Sequence, residues 1–315
     1  MNKYIELVLF CMLIYFIYND ININKNDNME HFDKEKYDKF PKITKEEDVD
    51  MKKLLKIVHN VCKIHNIKYF LYAGTLLGAI RHRDRIPWDD DADLGIMESD
   101  ERKLLKINWK KYGCQVHDHW LGHKLSFINN KPAMEDGKEA EWSFPFVDFF
   151  VFNYENNKII FKSSVCKKMW PREFFYNNEI FPLKLYKFDN LELYGPGKPY
   201  SYLDRTYNPA WQVKSITGYS HINGGPIKKI NFLLNDYYKA LGKPTLKYLW
   251  VFGEINDKIL DKYKNTHVVC FINKKTAESF LEHDPYKLYS IYNTDDDIQK
   301  NIKNEVINMY GGSIY

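Results

Sequence analysis

Three short fragments of the chain carry the residue types that chemistry on phosphate requires: Ala73-Gly74-Thr75, Asp91-Ala92-Asp93-Leu94 and Val147-Asp148-Phe149. Two aspartates one residue apart on a strand project from the same face, about 7 Å apart along it, so Asp91 and Asp93 can both ligate a hard divalent cation. Asp148 stands inside the apolar run FPFVDFFVF, where a lone charge is costly unless paired or metal-bound, and this makes it the third ligand. A glycine followed by a hydroxyl residue at a helix start lets backbone amides approach a phosphate, which gives Gly74 and Thr75 the part of an anion cradle. Mg²⁺ or Mn²⁺ held by such carboxylates neutralises phosphate oxygens and orients an in-line displacement. Asp89 joins as a further ligand or as general base, a role it shares with Asp148, whereas Asp90 is expected to face solvent. Arg81, His82 and Arg85, in the charged loop between the first two fragments, can grip phosphates, and Trp88 can stack on a base or sugar or wedge beside Pro87.

The elements that must hold these residues follow from periodicity. Thr44-Lys45-Glu46-Glu47 reads as a capping box, and Leu54, Val58, Val61 and Cys62 recur at helical spacing, predicting an amphipathic helix to about His65. A strand over Ile67–Tyr72 then feeds Gly74, a helix begins near Leu76, and Pro87 keeps the following charged stretch a loop. Asp91–Met97 alternates as a strand and Ser99 opens another helix. Strands are expected near Cys114–His117, Lys124–Ile128, Phe146–Phe152 and His267–Ile272, and a helix near Asn231–Leu241. The body is therefore α/β or α+β.

Composition narrows the function class. A net charge of +4, with basic residues interspersed among acids, gives no basic face, so nucleic acid is not an expected partner. The five cysteines form no CxxC pair, so neither a zinc ribbon nor a redox dithiol is read from them; they are expected as buried thiols, with one or two disulfides open if the body is lumenal. His117, His119 and His123 mimic metal-ligand spacing but lack a companion motif, and they read as surface or core residues. Gly195-Pro196-Gly197-Lys198 lacks the strand and helix of a phosphate-binding P-loop and reads as a turn. Leu7–Tyr18 is apolar or aromatic throughout, which predicts a signal-anchor segment over residues 1–22 followed by a polar tether over 23–43. On that expectation the chain is a single-pass type II membrane protein of a secretory, Golgi-like or host-derived membrane, or lumenal if the segment is cleaved.

Residues 69–97, YFLYAGTLLGAIRHRDRIPWDDDADLGIM, resemble the signature block of the LicD family, which includes bacterial phosphorylcholine transferases and the fukutin-related proteins. Residues 181–211, FPLKLYKFDNLELYGPGKPYSYLDRTYNPAW, are similar to the family's later block, and with VDFF the resemblance covers roughly residues 50–215. It implies a nucleotidyltransferase-like mixed sheet with flanking helices over about 44–230, and an extension over 231–315. The implied activity is transfer of a phosphorylated alcohol, such as phosphocholine or a polyol phosphate, from a CDP-linked donor to a glycan. Tyr202, Tyr207 and Trp211 take the family's place near substrate, though an aromatic core explains them equally well. Thr75 stands where serine is commoner and keeps the hydroxyl, while Tyr207-Asn208-Pro209 replaces the usual Tyr-Gly and alters the loop before Trp211. A sugar-nucleotide glycosyltransferase also uses a DxD strand with a divalent metal, but after a longer nucleotide-binding region. A binding module that has lost turnover would have no physical need to keep every carboxylate.

Overall fold

A computed structural model of the 315-residue chain describes Glu35, residues 42–207, Trp211, residues 214–242 and three strand segments at 248–251, 268–271 and 313–314. The apolar segment Leu7–Tyr18 and most of the tether lie outside the described residues. Helix α1 (Lys45–Ile64) starts at the capping box, with the Thr44 side chain accepting from the Glu47 amide and the Glu47 carboxylate accepting from the Thr44 amide. Met51, Leu54, Leu55, Val58, Val61 and Cys62 form its buried stripe, while lysines and acids cover the rest. Among the described residues no helix is long and apolar enough to cross a membrane, so the expected single-pass type II arrangement is not supported. Even α1, with 20 residues, is a charged helix with one apolar face.

Strand β1 (Tyr69–Leu71) leads into α2 (Ala73–Arg81), and β2 (Ala92–Met97) into α3 (Glu98–Leu105). Strands β3 (Cys114–His119) and β4 (Gly122–Phe127) form a hairpin, β5 (Pro132–Glu135) and β6 (Lys138–Ser143) a second, and β7 (Phe146–Glu155) runs through the centre to β8 (Lys158–Phe161). The main sheet has the order β1-β2-β7-β4-β3, with β8 and then β9 (Phe175–Tyr176) continuing from the far half of β7. It is mixed: β2 and β7 are parallel, and the β1–β2, β4–β7 and β3–β4 pairs are antiparallel. All six residues of β2 and the first seven of β7 are buried, so this pair forms the floor of the core. Gly95 keeps that floor flat, because a β-carbon there would lie 2.3 Å from the Phe70 ring.

Short helices α4 (Ser164–Met169) and α5 (Asn177–Ile180), the hairpin of β10 (Lys184–Phe188) and β11 (Leu191–Gly195), and α6 (Tyr200–Tyr207) follow. Gly195 ends β11 and Pro196 to Lys198 turn the chain toward α6, so the turn is as expected but a strand and a helix do flank it, contrary to expectation; a β-carbon on Gly197 would meet the Pro182 carbonyl at 2.4 Å. The hairpin β12 (Lys214–Ser220) and β13 (Gly225–Leu233) precedes α7 (Leu234–Ala240). The helix expected from Asn231 therefore starts three residues later, because residues 231–233 pair across the hairpin with 214–216. The expected strand near residue 270 is β15 (Val268–Phe271), which flanks β14 (Tyr248–Val251) together with β16 (Ser313–Ile314) in a small parallel sheet. Helices flank a mixed sheet, the α+β class expected of a nucleotidyltransferase-like body. Cys62, Cys114 and Cys166 are free, buried thiols.

Candidate active site

Register brings the acids together. Asp93 lies opposite Asp148 in the parallel β2–β7 pair, and Lys124 lies opposite Asp148 in the antiparallel β4–β7 pair, so all three project from one face of the sheet. Asp91, one residue before β2, completes a group in which carboxylate oxygens of Asp91, Asp93 and Asp148 all lie within 4.8 Å of one another. None is more than 9% exposed. An all-oxygen, buried, triply acidic donor set fits a hard divalent cation.

The charges on these acids oppose one another. Burial, then Asp91 and Asp148, push the Asp93 carboxyl well above the usual carboxylate range. Burial also lifts Asp91, to about 6, although His221 draws it down. Asp89 is raised well above its ordinary value by burial and by Asp91 and Asp90. Burial and mutual repulsion therefore favour the protonated form of these acids, and a bound cation would oppose both.

Helix α2 supplies the wall opposite these acids. Its N-cap, Tyr72, makes no side-chain capping bond, and Ala73 sits at φ +42°, turning the chain sharply out of β1. The first turn is stitched to β2: the Tyr72 amide donates to the Asp93 carbonyl at 3.1 Å, and the Asp93 amide donates to Thr75 Oγ1 at 2.7 Å. Thr75 thus holds the start of β2 in place. Gly74 clears space, since a β-carbon on it would lie 2.7 Å from Asp89 Oδ2 and 3.7 Å from Asp93 Oδ2. Asp89 is in this way brought up to the trio.

Asp90 departs from expectation. It is 4% exposed, and its Oδ2 accepts from the Ser220 hydroxyl and the Ile222 amide, both at 3.0 Å. His221 Nδ1 lies 3.0 Å from Asp90 Oδ1, and its Nε2 lies 3.4 Å from Asp91 Oδ2. Burial would raise Asp90, but His221, the Ile222 amide and the Ser220 hydroxyl hold it low; against its own burial, His221 is pushed up to about 9 by Asp91 and Asp90. The β12–β13 turn is therefore clamped beside the cluster through residues some 130 positions away in the chain. No local motif announces such a contact.

The basic residues expected in the loop are occupied elsewhere, and Arg81 ends α2. Arg81, 5% exposed, donates to the Trp211 carbonyl at 2.5 Å and approaches Ser215 Oγ at 3.4 Å. His82 meets the Tyr238 hydroxyl at 2.8 Å. Arg85 pairs with Asp48 at 2.9 Å and donates to the carbonyls of Ile86 and Asp89, bracing the backbone of the acidic loop. Trp88 packs edge-on against Phe232 and Tyr237, with centroids 4.9 Å away in each case, as a core wedge. Tyr202 stacks on Phe175 at 4.1 Å, and Trp211 donates through its indole nitrogen to Asp204 at 2.8 Å. The three histidines do not converge: His117 lies opposite Lys124 across the β3–β4 ladder, whereas His123 lies opposite Asp118 and joins Glu101 at 3.0 Å. His119 joins Glu135 at 2.9 Å.

One acid near the cluster carries no sequence signal. Glu173, in the irregular turn after α4, accepts from the Tyr72 and Tyr202 hydroxyls, and its charge acts on Asp93. Burial pushes it up to about 7 from 4.5, the tyrosine hydrogen bonds notwithstanding. The native chain thus binds a proton that the unfolded chain has lost, so Glu173 lowers stability as pH rises through the window between 4.5 and about 7. Glu173→Gln is expected to match wild type near pH 4.5 and to melt several degrees higher near pH 8; parallel curves across that range would contradict the shift.

Residues 66–198 match the family model described as LicD/FKTN/FKRP, nucleotidyltransferase domain. The chain is 33% identical over 223 residues to an uncharacterized protein of Rickettsia typhi, covering 69% of this chain and 64% of that one. It is 31% identical over 144 residues to the lipopolysaccharide cholinephosphotransferase LicD of Haemophilus influenzae, 38% of this chain and 52% of the relative. It is 44% identical over 68 residues to the human ribitol 5-phosphate transferase FKRP, 22% of this chain and 14% of the relative. The chain thus spans about two thirds, half and one seventh of these relatives. The Rickettsia protein, matched over most of this chain, is bacterial, which removes the ground for a Golgi-like route.

Proposed function

Because the chain belongs to the LicD/FKTN/FKRP nucleotidyltransferase family and is a transferase of that family, we propose that it moves a phosphorylated alcohol, phosphocholine or a polyol phosphate, from a CDP-linked donor to a glycan hydroxyl. The observation that carries this reading is the pairing of Asp93 with Asp148, joined by Asp91 within 4.8 Å. The catalytic body is the stretch from about 44 to 230.

Asp91, Asp93 and Asp148 would hold Mg²⁺ or Mn²⁺, which when bound supplies charge neutralisation at the phosphate oxygens. The uncapped first turn of α2, at Gly74 and Thr75, directs backbone amides toward the donor phosphate. Asp89, beside Gly74, accepts the proton of the attacking hydroxyl. A bond forms from the acceptor oxygen to the phosphorus that bears the alcohol, the bond from that phosphorus to the bridging oxygen breaks, and CMP leaves. Arg85 holds the Asp89 carbonyl, and His221 holds Asp91, so the loop is set before substrate arrives.

The test follows CMP release and the phosphorus spectrum of the product with CDP-choline, CDP-ribitol and CDP-glycerol, with UDP- and GDP-sugars in parallel. Metal-dependent CMP release from one CDP-alcohol is expected. UDP or GDP release instead would establish the glycosyltransferase reading in its place.

A further inference from the structure

The donor brings a diphosphate to a site already crowded with carboxylates, so some cation of the chain must meet it. Arg81, His82 and Arg85, the basic residues nearest in sequence, are engaged with Trp211, Tyr238, Asp48 and backbone carbonyls. His221 is tied to Asp90 and Asp91. Lys124 stands differently. It rises from β4 on the same face as the trio, opposite Asp148, and its charge acts on Asp91 as well.

Lys124 and Asp148 are each 3% exposed at the side chain, and Lys124 Nζ lies 2.7 and 2.9 Å from the two oxygens of Asp148. The ammonium sits 4.2 Å from the centroid of Phe146 and 5.2 Å from that of Trp142, which hold it over the carboxylates. A buried ammonium is tolerable only with an anion in contact, and here Asp148 is that anion. Asp148 is also one of the three carboxylates close enough together to hold a cation. A cation drawing on Asp148 would leave two positive charges a few ångströms apart, a repulsive arrangement in so buried a place. An anion that touches both resolves it, and a phosphate oxygen has the charge and the lone pairs to do so.

We propose that Lys124 is a phosphate-binding residue, which passes from Asp148 to an oxygen of the donor diphosphate when cation and donor enter together. The proposal rests on the reading of this site as a phosphoryl-transfer centre, and it makes cation binding and phosphate binding mutually dependent. As a compact point charge with three rotatable donors, a lysine can make that exchange within its own reach.

The experiment titrates inorganic pyrophosphate into the full chain by calorimetry, with and without Mn²⁺, for wild type, Lys124→Met and Lys124→Arg. Wild type is expected to bind pyrophosphate at least about tenfold more tightly with Mn²⁺ than without it, within the usual range of coupling between sites. In Lys124→Met that gain is lost while Mn²⁺ itself binds as well or better, because Asp148 is released, and Lys124→Arg keeps most of the gain. Unchanged pyrophosphate affinity in a folded Lys124→Met, with tighter Mn²⁺, would make Lys124 a counter-ion of Asp148 only and overturn the proposal. Should Lys124→Met fail to fold, the wild-type titration decides, since absence of any Mn²⁺ effect on pyrophosphate overturns it equally. Pyrophosphate carries no alcohol or nucleoside, so a wrong assignment of the transferred group would leave this result untouched, and failure here would leave CMP release from a CDP-alcohol to be read separately.

Discussion

Asp93→Asn is expected to abolish turnover, by at least about a thousandfold, while leaving the metal-free protein as stable as wild type or more so. The two effects have one cause. Asp93 is buried among Asp91, Asp148, Asp89 and Glu173, all of which oppose its charge, and the hydrogen bond that Thr75 makes goes to the Asp93 amide instead of its carboxylate. Removing that charge relieves repulsion in the native state, and it also removes a ligand that a cation would need. Groups placed for function at the expense of stability behave in this way. Thermal melts with and without Mn²⁺ check it: wild type should gain from the cation by mass action, and Asp93→Asn should gain much less. A large loss of metal-free stability in Asp93→Asn would show that the carboxylate is there to hold the fold.

Its neighbour in register should respond in the opposite sense. Asp148→Asn leaves the Lys124 ammonium, 3% exposed, without its counter-charge, and breaking a buried pair from one side costs on the order of 3–5 kcal/mol. Urea denaturation of the metal-free protein measures this. The double substitution Asp148→Asn with Lys124→Met should recover much of the loss, because the groups interact directly and their effects do not add. Equal and additive losses from the two single substitutions would contradict a shared pair. Two carboxylates side by side on the same face therefore differ because one has a lysine across the ladder and the other does not.

The parts of this site that could be read from sequence are those whose reasons are local. Asp91, Asp93 and Asp148 announce themselves, two by a spacing that a strand converts into a shared face and one by a charge amid phenylalanines. The capping box before α1 and the strand before Gly74 are equally local. Lys124, by contrast, sits in an ordinary strand sequence and becomes significant only through two-sided register, with His117 on one neighbour and Asp148 on the other. His221 reaches Asp90 through a hairpin that the apolar pattern around residue 231 disguised as the start of a helix. Arg81 and Arg85 are engaged within the protein for a related reason: guanidinium forks satisfy backbone carbonyls as readily as phosphates, and Arg85 meets those of Ile86 and Asp89 in its own loop while Arg81 meets that of Trp211, 130 positions away. Asp90 is the clearest reversal, since nothing in DDDAD distinguishes the acid whose oxygens are taken up by the distant β12–β13 turn from Asp91 and Asp93, which join Asp148.

The account depends first on Asp91, Asp93 and Asp148 forming one cation site, and a calorimetric titration of Mn²⁺ into wild type and into Asp91→Ala/Asp93→Ala tests that most directly. Saturable binding by wild type that vanishes in the folded double variant is the predicted result. Binding of equal affinity and stoichiometry in both proteins would contradict the site, and with it the chemistry assigned to this face of the sheet.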